Sequence, residues 1–569
     1  MNTLSLFVGA FLLLNSVITF AKYHWSHRSR QDSVVPPTYP SIFSVIEHII
    51  SSVWDNEKFY QDVTSYRGKP AAGRVGFFGY YLYFFQDRES IRLIWKTPSL
   101  STPIHLQVYA MKYFFGVPEK TARLYRTDNS GPFRNPYPGT AIDKDKRLHF
   151  LSHQEFKRAL SGGGMAPTFL RFRTAMEAQI SEAKLASGEW TQHTDFRKFL
   201  RDVFAAPLIQ SIYGPSLLRI NPTFVDDLCD FDHEIPFLAR GVPSFLYRKP
   251  HRLRAKLKEQ MKRWHLYARQ NFSQSAVYED GDGDPFWGSA FMRNRHAMFA
   301  DVGDHDEEAV AALDIGLCFG LVSNSVPATF LTLWHIFKDP TLLHRIREEL
   351  REHLGSTLVR EADYKTLSRL PLLQSVYAEV LRLYTNIYVM VSTSSQKKGE
   401  GEDDSGEDVA LGRWSLPGGA IALLNSSVAH KDASFWNTAG GAHPAHSFWA
   451  DRFLSTRQNP GSGPVNPELR RMWPVNNKKT SSSDDHDHDS SRPCFSSEGL
   501  EASYFPYGGG QSICPGRHLA KNVIITTAAT MASEFDVEFL TDSLQLDKWR
   551  YGLGLAAPTN DIQFRIRRR

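Results

Sequence analysis

The sequence predicts a mainly α-helical fold with small β-sheets, preceded by a single N-terminal transmembrane helix. Three observations carry this. Ala309 to Lys338 is one long, mostly apolar stretch that reads as a helix. Pro340 to Leu354 is amphipathic, with Leu342, Leu343, Ile346 and Leu350 on one face and charges opposite. Short strand-like pieces, Tyr388 to Ser392 and Ala420 to Leu424, follow a further helix at Leu367 to Tyr384. The 569 residues are 42% hydrophobic and 22% charged, enough for a large core and unlike a disordered, collagen-like or multi-span membrane chain. A net charge of +5 is mild for this length, and no basic stripe interleaved with aromatics is present, so no nucleic-acid partner is expected. Four cysteines, Cys229, Cys318, Cys494 and Cys514, are too few for a disulfide framework. They point to a reducing compartment, in which a special cysteine does chemistry.

Leu4 to Ala21 is an apolar run broken only by small or weakly polar residues. As a helix it would be roughly 27 Å long, enough for a thin bilayer. Lys22, Arg28 and Arg30 follow it, which places that flank in the cytosol and favours an uncleaved anchor over a secretory signal. We therefore expect an anchor at 1–21, a basic and proline-rich linker at 22–40, and one catalytic domain at 41–569. Two polar insertions are expected in that domain, near 396–408 and 455–501, because neither has the apolar content to fold alone. The second contains a His/Asp tract at 486–489 that reads as a solvated loop rather than a metal site. Gly162-Gly163-Gly164 lacks the Lys-Ser/Thr of a phosphate loop and reads as the junction of two helices. The basic C-terminal tip reads as a solvated tail.

The strongest chemical signal is Tyr507-Gly508-Gly509-Gly510-Gln511-Ser512-Ile513-Cys514-Pro515-Gly516-Arg517, followed by a helix from His518 to Glu534. Glycines allow positive φ and close approach to something flat. A cysteine just before a helix has its thiolate favoured by the helix N-terminus. One thiolate without a partner cysteine suits a single metal bond, of which axial haem iron is one case. A buried cysteine in a tight turn is the alternative. A second signal is Glu379-Val380-Leu381-Arg382, whose charges share one face of an otherwise apolar helix and need partners there. The third is Phe448-Trp449-Ala450-Asp451-Arg452-Phe453. Each of the last two alone describes no more than a salt bridge or an aromatic turn.

In this order the three motifs resemble the cytochrome P-450 family of haem-thiolate monooxygenases, from the anchor to the end of the chain. The resemblance implies heme b with Cys514 as axial iron ligand, and Tyr507, Gly510, Ser512 and Gly516 around the cofactor. It implies a buried ion network of Glu379, Arg382 and Arg452. The loop departs from the commonest pattern in two places. Tyr507 stands where Phe is usual, and Ser512 stands where Arg or His often binds a propionate. The anchor and hinge match the microsomal members, which implies a single-pass protein of the endoplasmic reticulum membrane with a cytosolic catalytic domain.

Pro327 lacks an N–H and would clash with the carbonyl of Ser323, so the long helix should kink and leave that carbonyl free. Nearby hydroxyls can also satisfy such a kink. In the family this helix crosses the distal haem face and carries an acid–Thr pair for proton delivery. Here the aligned residues are Ser323 and Asn324. The Asn-x-x-Pro-Ala segment, the Gly-Gly-Gly-x-x-x-Cys-Pro-Gly-Arg loop and Gly552 to Pro558 are similar to the branch with sterol 7α- and 12α-hydroxylases and prostacyclin synthase. The polar insertions suggest a fungal biosynthetic member. The expected reaction inserts one atom of O2 into a hydrophobic steroid, terpenoid or polyketide-like substrate. Electrons would come from NADPH through a partner NADPH-cytochrome P-450 reductase, since this chain has no GxGxxG fingerprint. Substrate contacts are expected from Ile387, Tyr388 and Val389 and from Ala557. Because the acid–Thr pair is missing, a reductase-independent haem isomerase of the prostacyclin-synthase type stays open, as does a non-catalytic haem-binding protein.

Overall fold

The computed structural model describes residues 34–39, 56–66, 69–77, 80–137, 139–183, 188–393, 407–472 and 492–569. The expected anchor at 1–21, most of the linker, residues 396–406 and the His/Asp tract lie outside them. The described chain is mainly helical, with one larger mixed sheet and several two- or three-stranded ones.

In the larger sheet the strands β1 (Ala72–Phe77), β2 (Tyr80–Phe85), β3 (Thr385–Thr393), β4 (Ile421–Asn425) and β5 (Leu553–Leu555) run in the spatial order β5-β3-β4-β2-β1. Only β4 against β2 is parallel. The strands join segments more than 400 residues apart in sequence, so the sheet clamps the C-terminal end onto the start of the domain.

The elements that position the site are α1 (Arg88–Lys96), α2 (Leu148–Leu160), α3 (Phe224–Ala239), α4 (Lys249–Asn271) and α5 (Ala290–Val302). They continue with α6 (Glu307–Val322), α7 (Ser325–Lys338), α8 (Pro340–Leu354), α9 (Pro371–Tyr384) and α10 (Arg517–Glu534). Helix α8 has the predicted bounds. Its Leu342, Ile346 and Leu350 are buried, and Asp339 caps it by accepting from the Leu342 N–H. Helix α9 starts later than predicted, at Pro371, because proline suits the first helical position and disfavours helix in the residue before it. The three glycines after α2 do separate two helices, the second being Met165–Glu182.

Ala309 to Lys338 is not one helix. It breaks at Ser323 and Asn324 into α6 and α7, whose buried faces belong to one core with α9 and α10. That core also holds Phe172, Phe196, Phe204, Trp264 and Met531, all fully or almost fully buried.

The two ends of the 455–501 insertion are built into the fold. Leu454–Ser455 pairs antiparallel with Cys494–Phe495. Pro467–Met472 is a short helix, and Val465 and Leu500 are buried with Trp436 and Phe453 in a satellite core. Composition averaged over the segment hid these two apolar ends.

Candidate active site

Helix α9 is apolar on almost every side, so its two charges are forced inward. Glu379, Arg382 and Arg452 are all fully buried. The Arg382 Nε and Nη2 donate to the two Glu379 carboxylate oxygens at 2.7 and 2.8 Å, and the Arg452 Nε donates to Oε1 at 2.9 Å. The Trp449 N–H adds a bond to the same oxygen at 3.1 Å. One negative charge faces two positive ones. The excess is met by carbonyl oxygens: Arg382 donates to those of His430 and Ala445, each at 2.6 Å, and Arg452 to those of Asn437, Pro444 and Ser447. The segment from 430 to 453 is thus folded around two guanidinium groups.

His430 carries this network to the cysteine loop. It is fully buried. Its Nδ1 is 3.1 Å from the Arg382 carbonyl, and its Nε2 accepts from the Phe505 N–H at 2.9 Å. A carbonyl can only accept and an N–H can only donate, so the ring is the neutral Nδ1–H tautomer. Burial, reinforced by the Arg382 charge, pushes its pKa down to about 3. The same side chain therefore ties α9 to the residue two before Tyr507.

The loop itself is closed by the Cys514 N–H donating to the Tyr507 carbonyl at 2.9 Å. The Tyr507 hydroxyl meets that of Tyr377 on α9, and the Tyr504 hydroxyl donates to the Ala378 carbonyl at 3.1 Å. Tyr507, where Phe is usual, so gains an anchor that Phe cannot have. The loop passes across Trp95 of α1. A Cβ placed on Gly509 would stand 2.5 Å from that indole ring, and Gly510 has φ of 56°. The Arg517 Nη1 donates to the Cys514 carbonyl at 3.0 Å, holding the loop's own backbone. Ser512 lies in the one-turn 3-10 segment Gly510–Ser512.

The cysteine is half-buried and Ile513 beside it is 40% exposed. Burial raises the Cys514 thiol pKa, while the backbone N–H groups of Gly516 and Arg517 and the Arg517 charge lower it. Cys229 is buried and Cys318 fully enclosed, and burial pushes their thiols well up, to about 12 for Cys229. Among the described cysteines Cys514 alone combines partial exposure with N–H groups directed at sulfur. An open sulfur before α10, an apolar neighbour and a loop stripped of side chains against Trp95 fit a large flat cofactor held by one thiolate.

At the break between α6 and α7 the Ser323 carbonyl is not left free. Arg550 donates to it through Nη2 at 3.0 Å, and its Nη1 donates to Asp232 Oδ2 on α3 at 2.7 Å. The proline removes one intrahelical bond and a residue 227 positions away supplies another. The Ser325 hydroxyl bonds the Leu321 carbonyl. Asn324 is exposed, and its Oδ1 accepts from the Leu555 N–H of β5 at 2.8 Å. Gly554 gives it room, since a Cβ there would fall 2.4 Å from that oxygen. With the oxygen committed, Asn324 offers amide N–H on its open side. One turn back, Gly320 is exposed with nothing within 4 Å of where a Cβ would stand, and Gly316 faces the ring of Phe115.

The residues expected to touch substrate do not fall together. Ile387 and Val389 point to the sheet face that packs on Ile91 and Ile94 of α1. Tyr388 points the other way, its ring 5.9 Å from Tyr60 and 6.0 Å from Tyr551. Ala557 is buried and lines a cavity with Val322, Val326, Pro327 and Asp232.

The pattern that defines the cytochrome P450 family matches residues 224–564, well over half of the chain. The chain belongs to the cytochrome P450 family. It is 28% identical over 564 residues to cytochrome P450 monooxygenase efuG of Hormonema carpetanum, covering 96% of this chain and 93% of that one. Cytochrome P450 monooxygenase fsoE of Humicola fuscoatra is also 28% identical, covering 94% and 88%. Cholesterol 7-alpha-monooxygenase of Cricetulus griseus is 26% identical over 350 residues, covering 59% and 57%. The resemblance to the sterol 7α-hydroxylase branch is therefore real. Among solved structures, the crystal structure of the cytochrome P450DA heme domain matches with a TM-score of 0.56 at 14% identity, covering 88% of this chain and 90% of that one. It shares the fold. Family membership implies a haem-thiolate centre.

Sequence reasoning singled out Cys514 as a candidate and the three charges that the structure brings together, but not the residues that connect them. Trp95, Tyr377, His430, Asp232 and Arg550 lie far apart in the chain and outside its motifs. A lone Arg next to Tyr551 carries no local signal of a partner on α3.

Three outcomes are expected. Glu379→Gln leaves two buried guanidinium groups without a counter-charge and should lower the unfolding free energy by about 3–5 kcal/mol in denaturant titration. Gly509→Ala should drive a methyl group into Trp95 and cost about 1–3 kcal/mol, partly recovered in a Gly509→Ala, Trp95→Ala double variant. His430 binds a proton in the unfolded chain below its ordinary pKa near 6.5 but not in the folded one until about 3. Its contribution is therefore fully present above about 6.5 and is lost as pH falls through that window. Stability measured from pH 7 to 4 should fall, and the fall should be shallower in His430→Gln.

Proposed function

We propose that this cytochrome P450 monooxygenase uses Cys514 as the axial thiolate of heme b and oxygenates a hydrophobic small molecule with electrons from NADPH, delivered by a separate reductase. Cys514 carries this reading: a partly exposed cysteine just before α10, with the backbone N–H groups of Gly516 and Arg517 directed at its sulfur, in a loop stripped of side chains. When bound, the haem supplies activation of O2, so that one atom enters the substrate and the other leaves as water. Glu379, Arg382, Arg452 and His430 hold the loop in place. Glycines at 509 and 510 let the loop pass close against Trp95, and Gly516 lies beside the sulfur. Asn324, its oxygen fixed by β5, presents an amide donor from the exposed face of the helix break and can orient a water. Ser323 beside it supplies the carbonyl that Arg550 takes.

Ile387 and Val389 pack on α1 and Ala557 lines the small cavity beside Asp232, so the substrate contacts expected from them are not assigned. Tyr388, packed between Tyr60 and Tyr551, supports their strand from behind. Similarity to a cholesterol 7-alpha-monooxygenase supports a polycyclic, largely apolar substrate. The apolar run at 1–21 with its basic flank supports an anchor in the endoplasmic reticulum membrane, with the body cytosolic.

The absence of a carboxylate at Ser323-Asn324 favours one other reading, an isomerase that needs no reductase. Both are tested together in cells of the native metabolite background fed heavy-oxygen-labelled O2. Cys514→Ala should abolish the red-shifted carbon-monoxide band of the reduced protein. A product that depends on Cys514 and carries one labelled oxygen is the expected result. An unlabelled product of unchanged mass would select the isomerase, and an unaltered band in the variant would remove Cys514 from the iron.

A further inference from the structure

The broken turn at Ser323-Asn324 carries neither an acid nor a threonine, yet the monooxygenase reaction consumes two protons for each O2 as the second oxygen atom leaves as water. A carboxylate does reach this break, from another helix. Asp232 of α3 is bound through Oδ2 to Arg550 Nη1, while Arg550 Nη2 holds the Ser323 carbonyl. Arg550 is 3% exposed and Asp232 8%. The second carboxylate oxygen, Oδ1, and the Arg550 Nε are both buried and have no partner among the described residues. Two orphaned polar atoms in one ion pair are costly unless water satisfies them.

The room for water is present. A cavity of about 50 Å³ is lined by Asp232, His233, Val322, Val326, Pro327 and Ala557 among others, so it runs from α3 to both sides of the break. One water needs about 10–15 Å³ measured this way, so the cavity takes a short file of them. On its other side it is lined by Arg197 and Arg201, whose side chains are 22% and 18% exposed. The cavity therefore runs from the surface to the kink, with a carboxylate and a histidine on its wall. The remaining walls are mostly apolar, so the polar lining consists of Asp232, His233 and the two arginines.

We propose that Asp232, held by Arg550 against the broken turn at Ser323-Asn324, is the carboxylate that passes protons from the solvent-side cavity to the helix break during turnover. The transfer is a relay: Oδ1 takes a proton from a cavity water, which regains one from bulk solvent, and yields it to a water at the break, which Asn324 orients and which passes a proton on to the oxygen being reduced. Asp232 is thereby returned to its starting state, and no oxidant or reductant is needed beyond those of the oxygenation itself. Arg550 is a positioning residue, since it keeps both the carboxylate and the Ser323 carbonyl in place. The charged or titratable groups around Asp232 are Arg550, His233, Asp547, Arg197, Arg201 and Cys229. Burial raises the carboxyl pKa and Arg550 opposes it, so the group is a more ready proton carrier than a surface aspartate.

The inference rests on the monooxygenase reading, and its test separates the two. Haem-loaded full-length wild type, Asp232→Asn and Asp232→Glu are compared. The reduced carbon-monoxide band counts intact centres. Infrared difference spectra across a pH titration should show a protonated-carboxyl band in the wild type that is missing in Asp232→Asn and shifted in Asp232→Glu. In cells, the Cys514-dependent labelled product per intact centre should fall at least tenfold in Asp232→Asn and recover mostly in Asp232→Glu. Asn can still accept from Arg550, so a purely structural role predicts fewer intact centres at unchanged product per centre, and that result would overturn the proposal. So would a wild-type infrared titration without an Asp232 band. A wild type that makes no labelled product would overturn the monooxygenase reading and the turnover role of Asp232 with it, whereas labelled product per centre unchanged in Asp232→Asn would overturn the relay alone.

Discussion

Glu379 sits at the one point where the structure has no slack. A carboxylate in a fully buried helix face must be neutralised, and two guanidinium groups overcompensate it. The surplus positive charge then dictates the path of the chain, because Arg382 and Arg452 need carbonyl oxygens from residues 430 to 447. A buried ion group of this kind is a poor source of stability compared with apolar packing. Its value here is geometric. Through the neutral His430 it fixes Phe505, and from Phe505 the next nine residues lead to Cys514.

The helix break obeys a similar rule from the opposite direction. Proline removes an internal hydrogen bond, and the exposed carbonyl would be a liability in an apolar core. The fold answers with a guanidinium from the far end of the chain and a carboxylate from α3. Backbone from β5 completes the arrangement by bonding Asn324. The broken turn is thus held by three elements distant in sequence. It can keep an unusual shape without relying on its own helix.

What the sequence revealed follows from how local each signal is. Helix α8 was readable to the residue because its cap, its proline and its apolar stripe are contiguous. The cysteine loop was readable because its glycines and its cysteine are contiguous, within one turn closed by the bond from the Cys514 N–H to the Tyr507 carbonyl. The break was half readable: Pro327 announces it, but the partner that satisfies Ser323 lies 227 residues away, where Arg550 looks like any basic residue before a turn. Tyr388 was placed with its neighbours by adjacency, although alternation along a strand sends it to the opposite face. The ends of the 455–501 segment were missed because polar composition masked Val465 and Leu500.

That segment has a consequence of its own. Ser455 and Cys494 are direct neighbours in a two-residue ladder. Met472 and Arg492, the described residues on either side, are both exposed and flank this paired base. For such an arrangement the entropy of closing the loop grows only logarithmically, about 0.6 kcal/mol for each doubling of length. A joint closed in this way tolerates insertions of differing length at little cost in stability. It is a position where the chain can acquire, lose or exchange whole stretches of sequence without disturbing Glu379 or Cys514, and where a reporter or tether can be spliced in with the catalytic core left as it stands.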